Sequence, residues 1–79
     1  SIQSRLRERP FRPLRVVVSE GQQFNVHHPD LVLVGHRGLM IGLPRDVDSS
    51  DYDRVTRVAL VHVVALEDLP VTTRGNGQQ

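Results

Sequence analysis

With 79 residues and a formal net charge of +1, the chain is one domain with a small core and is near charge balance overall. It has no cysteine, which excludes disulfides and thiolate metal sites and fits a reducing, cytoplasmic compartment. No apolar run approaches the roughly 20 residues of a membrane helix, so no membrane partner is expected, nor is a signal peptide at Ser1.

In chain order, "SIQSRLRERP" places Ile2 and Leu6 one helical turn apart and stops at Pro10, which predicts a short amphipathic helix. Such a helix is marginal alone and must dock on the rest of the chain. "LRVVVS" alternates Leu14, Val16 and Val18 on one face and reads as a strand. Glu20–Gly21 forms the hairpin turn, with Gly21 free to take positive φ. "QQFNV" returns with Phe24 and Val26 inward. Continuing that alternation, His28 points with Val26 and His27 points the other way, so the two imidazoles diverge. Pro29 ends the strand because it cannot donate to a ladder, and Asp30 suits a turn whose N–H groups its carboxylate can cap.

"LVLVGH" is the next strand, followed by a turn at Arg37–Gly38 and a strand in "LMIGL", where Gly42 suggests a bend or bulge. Val17, Val32, Val34 and Met40 or Ile41 then leave apolar groups on the face that should be solvated, which implies cover by a neighbouring subunit. Residues 44–53 form a long polar loop. "RVTRVALVHVVALEDL" is too long for one straight strand and splits near Ala59–His62 into two strands with a corner. The expectation is a single domain over 1–70 and a flexible tail over 71–79.

The charges are unevenly placed. Residues 1–15 carry five arginines against Glu8, giving +4, while residues 46–53 carry four aspartates, giving −4. Arg5 and Arg9 share a helix face, and Arg12 lies in an extended stretch between two prolines, a placement suited to phosphate contacts. Alternatively, these arginines pair with Asp46, Asp48, Asp51 and Asp53 of the same or a neighbouring chain.

Catalytic signals are weak. His27, His28, His36, His62 and Asp30 are metal-capable residue types, but they lack the spacing of a known zinc motif. Ser19, Ser49 and Ser50 have no nucleophile-elbow context, and the glycines form no phosphate loop. A non-enzymatic protein without metal or cofactor is expected.

The order of helix, Glu–Gly hairpin in "RVVVSEGQQFNV", Asp30 after the second strand and the closing "VALVHVVAL" resembles the Sm/LSm family, especially its Hfq branch. "RPFRPLRVVVSEGQQFNVHHPD" also resembles short bacterial proteins with an RPF-P…DG…F-V-HP signature, which implies no activity. The Sm resemblance implies a five-stranded, strongly bent antiparallel barrel after the helix, assembled into a homo-oligomer and able to bind single-stranded RNA. Hfq-like proteins hold RNA with a Tyr-Lys-His run. The matching positions here are Thr56, Arg57 and Val58, so Arg57 is the one candidate contact carried over. The expected nucleic-acid residues are therefore Arg5, Arg9, Arg12 and Arg57, with Gly21, Pro29 and Asp30 as turn residues. Aromatic platforms for base stacking are scarce. The alternative is an adaptor or structural subunit that recognises a protein partner by edge-strand pairing.

Overall fold

The computed structural model describes residues 1–70; the segment 71–79, expected as a tail, lies outside the described residues. Helix α1 spans Ile2–Arg7. The Ser4 N–H donates to Ser1 Oγ at 3.4 Å and caps its start. At its end Arg9 donates to the carbonyls of Leu6 and Glu8 at 2.8 and 2.7 Å, filling acceptors that the helix leaves unpaired. Ile2 is buried and Leu6 packs against the core, as the spacing predicts.

Strand β1, Leu14–Val18, is the centre of the first sheet, with β2 (Gln23–Val26) on one side and β6 (Val63–Asp68) on the other. Leu14, Val16 and Val18 are its buried face, and Val16 lies opposite both Phe24 and Leu66. The β1–β2 turn places Gly21 at φ 88°, and Glu20 also lies at positive φ, 68°. Glu20 thus holds a conformation disfavoured for an L side chain. The turn closes with the Val18 N–H on the Gln22 carbonyl at 2.8 Å.

The second sheet has the order β3-β4-β5, from β3 (Val32–Val34), β4 (Gly38–Leu43) and β5 (Arg54–Ala59). Its inner face carries Val32, Leu39, Ile41 and Val58, all buried. These meet Leu14, Val16, Val18 and Val26 of the first sheet, with Ile2 at one end, in one apolar cluster. The chain passes between sheets through 3-10 turns at Pro29–Leu31 and Leu60–His62. The second is the expected corner.

The expected closed barrel of five strands is not formed: six strands make two separate three-stranded antiparallel sheets. The break has a local cause at both passages. Pro29 removes a ladder donor where β2 would run on into β3, and the Leu60–His62 turn interrupts extended geometry between β5 and β6. Three further details differ from expectation. Gly38 belongs to β4, so the β3–β4 turn lies at Gly35–Arg37, closed by the Gly35 N–H on the Gly38 carbonyl at 2.8 Å. Gly42 pairs regularly with Val55, and the register shift falls instead in the β1–β6 ladder between Val17 and Val18. Val32 and Ile41 face the core, leaving Leu33 and Met40 on the outer surface.

Replacing Glu20 by Asn, which tolerates positive φ, is expected to raise stability by about 0.5–1 kcal/mol. Urea denaturation of Glu20→Asn checks this; a lower midpoint would show that Glu20 itself contributes to the turn.

Candidate interaction surfaces

The basic N-terminal segment folds back on the end of β6. Arg5 Nη1 donates to Glu8 Oε1 at 3.0 Å, and its Nη2 reaches Asp68 Oδ1 at 2.5 Å and the Arg12 carbonyl at 3.2 Å. Arg12 donates from Nε to Glu8 Oε1 at 3.0 Å and from Nη1 to Asp68 Oδ2 at 3.2 Å. Glu8 and Asp68 are thus each held between the same two guanidiniums. The hydrogen bond to Glu8, then the charges of Asp68 and Glu8, raise the Arg12 pKa above its ordinary value. Arg5 is the buried member, with a side chain 15% exposed. Arg9 is engaged by the helix carbonyls. Within the chain the acids that meet Arg5 and Arg12 are therefore Glu8 and Asp68, and not its own 46–53 run. Arg57, on the outer face of β5, is exposed and lies far from this cluster in the topology.

The turn residues sit at the two ends of β2. Gly21 and Pro29 occupy turns as expected. The turn after β2 closes through backbone, the Leu31 N–H donating to the His28 carbonyl at 3.1 Å, without a side-chain cap on its first residue, and Asp30 is exposed. His28 donates from Nε2 to the Asp48 carbonyl at 2.5 Å, which ties the 44–53 loop to this passage. His62 Nδ1 lies 3.4 Å from Ser19 Oγ at the other passage, and His36 is exposed in the β3–β4 turn. Among the described residues no group of three or more His, Asp or Glu side chains is placed to hold a metal ion.

The outer face of the second sheet, expected to carry apolar groups, is built from Leu33 and Met40, while Val32 and Ile41 face the core. Its register aligns Leu33, Met40 and Arg57 in one row across β3, β4 and β5. The rows on either side are Gly38 with Ala59 and Gly42 with Val55. Both glycines are shaped by close neighbours. A Cβ on Gly38 would fall 2.8 Å from the Val58 carbonyl oxygen, and one on Gly42 would fall 2.6 Å from the Tyr52 ring, which lies over it. At the Gly38 end the face sinks into a groove of about 490 Å³ lined by Leu33, Met40 and Ala59, with Arg37 and Arg57 beside them. Leu33 is 65% exposed. Neither Arg37 nor Arg57 forms an ion pair among the described residues. The available sequence signal was the pair of glycines two residues either side of Met40, a spacing that puts all three on one face of a strand.

Arg5→Ala is expected to lower stability by about 1 kcal/mol, and by less at high salt, because several partly exposed ion contacts are lost together. Arg5→Lys should recover less than half, since an ammonium cannot reproduce the guanidinium fork between Glu8 and Asp68. Denaturation at two salt concentrations checks both. Comparison of the chain with models of known protein families, with curated proteins and with solved structures finds no match.

Proposed function

We propose that this chain is a non-enzymatic binding and assembly module that takes up a protein strand, its own or a partner's, along the open edge of β5. One observation carries the reading: β5 is six residues long and terminal in the order β3-β4-β5. An unpaired edge is a template for another strand. Of the other terminal strands, β2 and β3 have only four and three residues, the usual way of blunting an edge, and β6, also six residues long, ends in Glu67 and Asp68 where the N-terminal segment is tied to it by Arg5 and Arg12. The Leu60 N–H donates to the Arg37 carbonyl, so antiparallel alternation directs the N–H groups of Val55, Arg57 and Ala59 away from β4. Exposed Val55 on β5 and Val61 in the turn that follows it supply apolar contact for an added strand.

A cytoplasmic setting is part of the proposal, and a chain free of cysteine is compatible with it. Single-stranded RNA ranks second as a ligand. Of its four expected contacts, Arg5, Arg9 and Arg12 hold internal acceptors, which leaves Arg57. Releasing the others would break contacts that join α1 to β6.

The test is Val55→Pro. Residue 55 has its N–H on the open side, so proline there leaves the β4 ladder intact while blocking a new strand. Circular dichroism should show a retained β fold. In the wild type, amide exchange at Val55 and Arg57 should slow as self-association or an added partner fills the edge, and Val55→Pro should abolish the change at Arg57. Amides at 55 and 57 that exchange equally fast in free and associated protein would overturn the reading.

A further inference from the structure

We propose that the Arg37/Arg57 groove is the receptor for the acidic loop of a second copy of this chain, with Val47 entering the groove between Asp46 and Asp48. The contact is separate from the β5 edge and does not depend on it.

The groove calls for an apolar group flanked by negative charge. Leu33, Met40 and Ala59 form its floor, and Gly38 keeps that floor low. Two guanidiniums without ion-pair partners among the described residues stand beside it. An isolated phosphate would use the arginines and waste the apolar floor, whereas an aliphatic ligand would leave two cations unmatched.

The 44–53 loop presents the complement. Val47 is 66% exposed, an apolar side chain at the tip of a polar loop, and aspartates sit on both sides of it in sequence. The local cations do not neutralise these acids: Arg45 and Arg54 both turn to Asp53, at 2.5 and 3.7 Å. Asp46 and Asp48 have no ion pair among the described residues. The loop is also preorganised, through His28 on the Asp48 carbonyl and the Ser49 N–H on the Asp46 carbonyl at 3.1 Å. A ligand loop held in shape loses little entropy on docking.

Geometry makes the contact intermolecular. Tyr52 anchors the loop over Gly42, at one end of β4, while the groove lies at Gly38, at the other end of the same strand. Four residues of strand separate them, about 13 Å. The loop of the same chain is held away from the groove: Val47 is exposed and outside its lining, and His28 binds the Asp48 carbonyl. Donor and receptor are different patches, so the contact is head-to-tail and repeats from copy to copy, closing into a ring or extending as a filament.

The experiment uses two charge-reversed chains, Arg37→Glu with Arg57→Glu, and Asp46→Arg with Asp48→Arg, each checked for fold by circular dichroism. By sedimentation velocity at low salt the wild type should self-associate. Each variant alone should associate at least about tenfold more weakly, since docking would place like charges together. Mixed, the intact acidic loop of the first meets the intact groove of the second, and the basic loop of the second meets the acidic groove of the first, so association should be restored in an assembly that alternates the two chains. A Val47→Ser chain should also associate more weakly than the wild type. A wild type that stays monomeric at high micromolar concentration, or a mixture that associates no more strongly than either variant alone, would overturn the proposal. So would retention of a single-stranded RNA that is lost in Arg37→Glu with Arg57→Glu while assembly is unchanged; the groove would then be a nucleic-acid site. The edge reading fails separately, in amide exchange at 55 and 57, because Val55→Pro leaves both loop and groove intact.

Discussion

The constraint that organises this molecule is the burial of two central strands against each other in a chain too short for a second core layer. β1 and β4 each lie between two neighbours, and each turns one face inward. Leu14, Val16 and Ile41 are almost wholly removed from water. Their contact is non-directional and scales with apolar area, so it fixes which faces meet but does not require that the flanking strands join. Two open sheets satisfy it as well as a barrel would. The outcome then rests on the passages between sheets, where Pro29 and the Leu60–His62 turn withhold the donors or the extended geometry that closure needs.

Open sheets have consequences at their rims. The N-terminal helix covers one end of the core through Ile2, and the Arg5–Glu8–Arg12–Asp68 cluster ties its exit to the last residue of β6. Individually such surface pairs contribute little; their use here is geometric, since they join segments at opposite ends of the chain around one partly buried guanidinium. Among the described residues β5 pairs only with β4, and the outer face beside it carries exposed Leu33 and Val55 and half-buried Met40, with the Tyr52 ring over Gly42. The arginines of the first fifteen residues are thus mostly part of the architecture, and those of the second sheet remain on its surface.

Much of the local structure was legible because it follows from local chemistry. Period-two alternation gave β1 and β2, the Ile2–Leu6 spacing gave α1, and the length of the last apolar run gave its corner. The outer face was not legible, because in "LVLVGH" and "LMIGL" both strand faces are apolar. Alternation then cannot tell Val32 from Leu33 or Met40 from Ile41. Only the turn at Gly35–Arg37, one residue away from its expected place, decided which set went inward. The role of Gly42 was equally hidden, since a strand glycine can mark a bulge or a close approach, and the ring that approaches comes from Tyr52 in another loop.

The sequence by itself determined the elements, their order and the uneven placement of charge, because these depend on residues a few positions apart. Tertiary structure alone decided closure, edges and the long-range ion partners, whereas the Arg5–Glu8 and Arg12–Glu8 pairs are three and four residues apart. Arg5 meets Asp68 across 63 residues of chain, and no spacing rule distinguishes that acid from the four of the 46–53 run. Ladder closure likewise depends on whether two distant strands present free donors to each other, which the packing of the whole chain sets and no local pattern records.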